Sequence, residues 1–315
     1  MTYDLTTIGE GQMRFTTERG ARLLNSHSMR VSPAGSEANV AGMLAQLGRH
    51  TAWASKLPEG DLPTRFLDEY RAVGVDLSHV KRVTDGRMAL YFLEPAETPL
   101  PARVAYDREA TPFREVTPAD FDWVSLLDTR VVFVTGITAA LTPSTADVIT
   151  HAVREGAERG VHTVLDVNFR SLLWSADRAR EVLEPLLDKL TMLFCSRQDS
   201  IKVFGVNPDT TDPSKELRDR YGVDHVVSTH GTNGVYYSGM EGNEHFAIKP
   251  VPVLDRPGAG DSFVAGTIHG FLGGSVLKGV GYGIRASAFA LTHFGDLTRL
   301  SPAELEVSES VDIVR

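Results

Sequence analysis

Cysteine is nearly absent from this chain: one residue, Cys195, in 315. A lone cysteine excludes an intrachain disulfide framework and a multi-cysteine metal centre, and it fits a reducing compartment. Its setting, Met192-Leu193-Phe194-Cys195, predicts a small buried hydrophobe rather than a reactive thiol. Positive charge is also short. Lys and Arg number 32 against 41 Asp and Glu, a formal charge of −9, which argues against nucleic acid or an anionic membrane as the main partner. An anionic small molecule is not excluded, because a few local arginines override a weak global field. No apolar run approaches the roughly 18 residues of a membrane span, and the opening MTYDLTTIGEG lacks both the basic and the hydrophobic region of a secretory signal. The expected location is the cytoplasm. Repeats, low-complexity tracts and separating linkers are missing too, so a single domain over 1–315 is expected.

What is present is alternation. β-rich runs at 5–8, 51–54, 131–135, 163–167, 192–195 and 225–229 are interleaved with amphipathic helical patterns at 39–47, 64–73, 144–159, 177–187 and 214–221. This order predicts an α/β fold with a doubly wound, mostly parallel sheet covered on both faces. Ligands in such sheets bind beyond the carboxyl ends of the strands. Segments 11–33 and 87–108 break the rhythm with alternating, strand-like patches. They predict either a small β-sheet lid over the active-site end or two surface hairpins without a role. A glycine-dotted helical region at 278–294 closes the pattern.

The most informative segment is Asp255-Arg-Pro-Gly-Ala-Gly-Asp-Ser-Phe263. Gly258-Ala259-Gly260 turns straight into an apolar helical pattern (Phe263, Val264, Thr267, Ile268, Phe271). A glycine turn opening a helix leaves backbone N–H groups free, with the positive end of the helix dipole behind them, which suits phosphate or a developing oxyanion. Asp261 has two readings there. It is a helix cap, or it is a base held beside the group it deprotonates.

Ordered landmarks along nearly the whole chain decide between them. Gly-Ser-Glu-Ala-Asn-Val-Ala at 35–41, Asp-Val-Asn-Phe-Arg at 166–170, Thr-His-Gly-Thr-Asn-Gly at 229–234 and the Asp255-x-x-Gly-Ala-Gly-Asp261 signature together resemble the ribokinase-like (PfkB) carbohydrate kinase family. Within it the likeness is greatest to 2-keto-3-deoxygluconate kinases. It rests on the Asp166–Trp174 run, on Tyr106-Asp-Arg108 and on Asp255-Arg256, where many sugar kinases carry Asp-Thr. The resemblance implies a ribokinase-like fold with a β-lid, ATP as donor, Mg²⁺, and phosphorylation of a primary sugar hydroxyl, here C6 of 2-keto-3-deoxygluconate. It implies Asp261 as base, with Gly258, Ala259 and Gly260 as an anion hole whose glycines also meet the nucleotide.

For the acceptor, a sugar acid calls for a fork-shaped cation, and Arg108 and Arg170 are the candidates. Arg170 has a second reading as a structural partner of Asp166. Tyr91 and Tyr106 offer hydroxyls and flat apolar faces, with plain packing as the alternative for Tyr91. Gly35 lets backbone approach the sugar; Asn39 contacts it or caps the following helix. Glu10 is a weaker candidate for a sugar hydroxyl. Asn168, Ser196, Thr229, Gly231, Gly234 and Arg285 are implied on the nucleotide side. The family's Asn-x-x-Glu element is replaced by Ser196-Arg197-Gln198-Asp199, which leaves Asp199 to reach Mg²⁺ through water and makes Arg197 unexpected. Competing functions are a neutral-sugar kinase of fructokinase or ribokinase type and a non-catalytic sugar or nucleotide sensor. Lid strands with open edges predict a homo-oligomer, a dimer or higher.

Overall fold

The computed structural model describes residues 1–306. Its strands are β1 (Tyr3–Ile8), β2 (Gln12–Thr17), β3 (Met29–Ala34), β4 (Thr51–Pro58), β5 (Val80–Val83), β6 (Ala89–Glu94), β7 (Arg103–Asp107), β8 (Thr129–Thr135), β9 (His162–Asp166), β10 (Met192–Phe194), β11 (His225–Thr229), β12 (Val235–Gly239) and β13 (Gly242–Phe246). Nine of them form one sheet in the order β13-β12-β11-β10-β9-β8-β1-β4-β5. Pairing is parallel from β5 to β11 and antiparallel through β12 and β13.

The strands are buried on both faces because their side chains are apolar on both. In β8, Val131 and Phe133 enter one core cluster with Leu5, Val164 and Met192, while Val132 and Val134 enter the other with Ile8, Leu165 and Leu193. Such near-continuous apolar strands require helices above and below. Helices Ser36–Gln46, Ala259–Leu272 and Val276–Leu291 cover the first face; Pro143–Glu158, Ala176–Leu183, Arg197–Phe204 and Pro213–Tyr221 cover the second. Each buried Val, Leu or Phe contributes roughly 1.5–3 kcal/mol. The late glycines have a packing reason: a Cβ on Gly266 would sit 2.7 Å from the Gly283 Cα, so two helices meet backbone to backbone.

Chain progression reverses at the β1/β8 boundary, with β4 and β5 on one side and β9, β10 and β11 on the other. That reversal opens a crevice at the carboxyl ends of the strands. Over it lies the second sheet, ordered β3-β2-β6-β7, built from the two segments that broke the helical rhythm. Two patterns were incomplete. The helix expected over 177–187 stops at Leu183, and Pro185 makes the next stretch, Glu184–Lys189, a 3-10 segment. Strands β5, β12 and β13 had no alternating apolar signal strong enough to mark them; β5 and β13 are the open edge strands of the sheet, and β12, between β13 and β11, is buried but carries Ser238 and Gly239 among its inward residues. Among the described residues, no helix is long and apolar enough to cross a membrane.

Candidate active site

One cavity of about 800 Å³ fills the crevice between the two sheets. Its floor is the amino end of helix Ala259–Leu272. Gly258 caps that helix at φ 83°, and a Cβ there would stand 2.1 Å from the Asp296 carbonyl oxygen, so no other residue fits. The first intrahelical bond runs from the Ser262 amide to the Gly258 carbonyl at 2.9 Å. The Gly260 and Asp261 amides precede it and have no turn below to bond, whereas the Ala259 amide reaches the Arg256 carbonyl at 3.3 Å. The anion-hole candidates therefore reduce chiefly to the Gly260 and Asp261 amides.

Asp261 does not cap the helix. Its Oδ1 accepts from the Ser36 hydroxyl at 2.6 Å and its Oδ2 from the Asn39 amide at 2.7 Å. Burial raises the Asp261 pKa, and these two hydrogen bonds hold it back. Asn39 is fixed at its other end too, accepting from the Tyr70 hydroxyl at 2.6 Å. The residue expected to contact sugar or to cap a helix is thus an orienter of Asp261. Ser36, unmarked in the sequence, shares that task. Gly35 lies beside them on the cavity wall, where a Cβ would meet the Glu10 carbonyl at 3.0 Å.

Two further carboxylates face the same space. Asp166, at the end of β9, is pushed up to about 8 by burial and then by the charges of Asp261 and Asp199. Asp199 is also raised, by burial, against hydrogen bonds that favour its charge. Arg170 is exposed and lines the cavity, and its charge lowers all three acids through space; it makes no hydrogen-bonded pair with Asp166. Hard oxygen donors crowded against their own repulsion suit Mg²⁺, which binds through few protein ligands and several waters. Among the described residues no group of three or more His, Cys, Asp or Glu stands together as metal ligands, and Asp166 and Asp199 are the acids that would face the ion. Arg197 does not disturb this arrangement. It turns away to the Pro208 carbonyl, while Lys202 on the same helix lines the cavity. Ser196 caps that helix, accepting from the Asp199 amide at 3.1 Å.

The remaining candidates divide. Asn168 (φ 39°), Ser196 and Thr229 line the cavity from the ends of β9, β10 and β11. Gly231 and Gly234 form the next turn but not the cavity wall, and Arg285 bonds the Leu305 carbonyl instead of facing the cavity. Those three readings came from turn chemistry and relative position, which do not fix direction. Cys195 is buried, and burial drives its thiol pKa well above the ordinary value, consistent with an inert small hydrophobe.

The roof is the small sheet. Tyr91 donates to Asp296 at 2.7 Å, and its ring lies 5.9 Å from that of Tyr106, which is half open to solvent. Arg108 is buried and gives Nε and Nη2 to one oxygen of Glu10, at 2.9 and 2.7 Å, while Thr111 donates to the other. Glu10, the weaker candidate for a sugar hydroxyl, is thus paired with Arg108 and Thr111 while still lining the cavity. Between roof and floor lies a buried cluster that the sequence did not reveal: Arg14 reaches Asp255 at 2.6 Å and Asp296 at 2.9 Å. Glu37 is a second such residue, buried beside Asp261 and accepting from Thr135 and Thr138 at 2.6 Å each.

The geometry matches known proteins. A 2-dehydro-3-deoxygalactonokinase of Haloferax volcanii is 30% identical over 97% of this chain and 96% of its own length. A 2-dehydro-3-deoxygluconokinase of Bacillus subtilis is 27% identical over 88% and 86%. The crystal structure of 2-dehydro-3-deoxygluconokinase from Thermotoga maritima superposes with a TM-score of 0.89 at 28% identity, covering 97% of this chain and 98% of that one. Residues 4–303 match the profile of the pfkB family carbohydrate kinases, and with the glycine-opened helix and its oriented aspartate in place, the chain belongs to that family of kinases.

Proposed function

We propose that this kinase transfers the γ-phosphoryl group of ATP to the C6 hydroxyl of 2-keto-3-deoxygluconate or a close sugar-acid relative. The observation that carries the reading is Asp261. It is a half-buried carboxylate with a raised proton affinity, held by Ser36 and Asn39 at the mouth of a helix amino terminus in a cavity with arginines on its wall. Asp261 takes the hydroxyl proton as transfer proceeds, and a raised pKa makes it the better base. The Gly260 and Asp261 amides face the charge on the transferring group, the chief lever in this chemistry. Mg²⁺, when bound near Asp166 and Asp199, supplies charge neutralisation for the phosphates. Asn168, Ser196 and Thr229, on the cavity wall at the ends of β9, β10 and β11, are the proposed contacts for the nucleotide's phosphates.

Arg170 and the free Nη1 edge of Arg108 are the proposed carboxylate clamp, with Tyr91 and Tyr106 beside it. Relatives named for 2-dehydro-3-deoxy sugar acids support that choice. The Glu10–Arg108 pair, which neutralises half of the clamp, is the one feature favouring a neutral acceptor. A coupled assay of ADP release tests the two directly, using 2-keto-3-deoxygluconate, its galactonate epimer, fructose, ribose and glucose. A 2-keto-3-deoxy acid should dominate in kcat/KM, with phosphorus NMR placing the phosphate at C6; a neutral sugar turned over equally well overturns the substrate assignment.

A further inference from the structure

We infer that Gln12 is an acceptor-binding residue of the lid, whose side-chain amide receives a hydroxyl of the sugar. Gln12 opens β2 and lines the cavity, only 8% exposed, and its Oε1 is buried with no hydrogen-bond partner among the described residues. Buried polar atoms are almost always paired in a finished structure, so an unpaired one on a residue that lines a cavity marks the place of a missing partner.

The surroundings sharpen the assignment. In the register of the small sheet, Gln12 lies opposite Ala34 on β3 and Ala89 on β6. Methyl groups on both flanks leave the Gln12 amide room and offer it nothing polar. The same inner face continues through Tyr91, Leu93, Val104 and Tyr106, all of which line the cavity. The other buried polar groups of this roof each have a partner: Arg14 has Asp255 and Asp296, Tyr91 has Asp296, and Arg108 and Glu10 have each other through Nε and Nη2. Gln12 alone among these is left open. An acceptor oxygen calls for an O–H donor, which a sugar hydroxyl supplies and a carboxylate does not. The inference rests on the sugar-kinase reading but not on which sugar is correct.

The test measures KM for acceptor and for ATP in wild type and Gln12→Met, a change that keeps volume and removes the acceptor atom. It uses whichever acceptor the wild type phosphorylates best. If that acceptor is a neutral sugar, the sugar-acid reading fails while the Gln12 test proceeds unchanged. Losing one neutral hydrogen bond should raise the acceptor KM by about threefold to tenfold, with the ATP KM unchanged. Thermal stability should hold or rise, because an unpaired buried acceptor contributes nothing to folding. An unaltered acceptor KM, or an equal rise in both KM values, overturns the assignment. A second arm does not depend on the variant's stability. Among monodeoxy analogues of the acceptor, one should lose affinity for wild type and none further for Gln12→Met; additive losses for every analogue overturn it.

Discussion

Two groups of acids sit within this one cavity wall and are treated in opposite ways. Asp255 and Asp296 share the guanidinium of Arg14, with Thr16, Tyr91 and the Gly295 and Arg256 amides completing the set. Asp166, Asp199 and Asp261 share the cavity with Arg170 and, for Asp199, Lys202 as the only cations acting through space, and all three are pushed toward the protonated form, first by burial. The first group has its cation and its hydrogen bonds, although burial still pushes Asp296 up to about 6; the second waits for something positive or for a proton. Satisfied charge fixes geometry, whereas uncompensated charge stores the capacity to bind a cation or accept a proton. The placement is economical, since Asp255 begins and Asp261 ends the same seven-residue signature, and Asp296 packs its carbonyl against the Gly258 between them.

Breaking the finished group should produce the largest effect. Arg14 is 1% exposed, and its charge is held against burial by Asp296 first, then Tyr91 and Asp255. Arg14→Met leaves two buried carboxyls without their cation, a loss of about 3–5 kcal/mol. Urea denaturation reads it directly, and a near-wild-type midpoint would erase the contrast. Next comes the base. Asp261→Asn should lower kcat by roughly 10²-fold or more while ATP affinity, measured by calorimetry, is retained. Near-normal turnover removes Asp261 from the role.

The unfinished group makes the opposite prediction for stability. A carboxyl ordinarily ionises near pH ~3.9, but folded Asp166 keeps its proton to about 8. Between those values the folded state binds more protons than the unfolded one, so this group's stability is full at low pH and declines as pH rises. Asp166→Asn should flatten that decline and raise the melting temperature of the substrate-free protein at pH above 8. Mg²⁺ should do the same for wild type. A variant less stable than wild type across the whole range would place Asp166 with the structural acids.

Legibility in the sequence depends on how far apart the interacting residues lie. The Gly258–Asp261 turn could be read because its conformation is written in adjacent residues: glycine at a positive φ, then a helix. The mostly parallel sheet came from apolar runs alternating with helical patterns, and the lid, against two surface hairpins, from two segments whose pattern changed. The Arg14 cluster could not be read, because Arg14 is 241 residues from Asp255 and 282 from Asp296, and nothing local ties them. Asn39 reads from the sequence as a sugar contact or a helix cap, and its bond to Asp261 stays hidden for a related reason: an amide beside a sugar site serves ligand or base equally well until its partners are visible. Arg285, Gly231 and Gly234 were placed by position along the chain, which does not specify the direction a side chain takes or the wall a turn joins. Gln12 left no sequence signal; only an open atom in a folded wall reveals it.

The finest test of the contrast lies in the two hydrogen bonds that join the groups' behaviour at Asp261. Ser36 and Asn39 donate to the carboxylate, so they favour its charged form and hold its pKa below where burial alone would set it. The base must be ionised to accept the hydroxyl proton, so the acid limb of kcat/KM against pH reports that pKa in the free enzyme. Ser36→Ala removes one donor and leaves Asn39 to orient the group. The folded pKa should rise, and the acid limb should move to higher pH, with activity at alkaline pH changed less than at neutral pH. Asn39→Ala should move the limb the same way and also loosen Tyr70, adding a loss of stability that Ser36→Ala does not show. A limb that stays in place or moves to lower pH in Ser36→Ala would mean that the hydrogen bonds serve orientation alone, and that Asp261 is tuned by its carboxylate neighbours and burial.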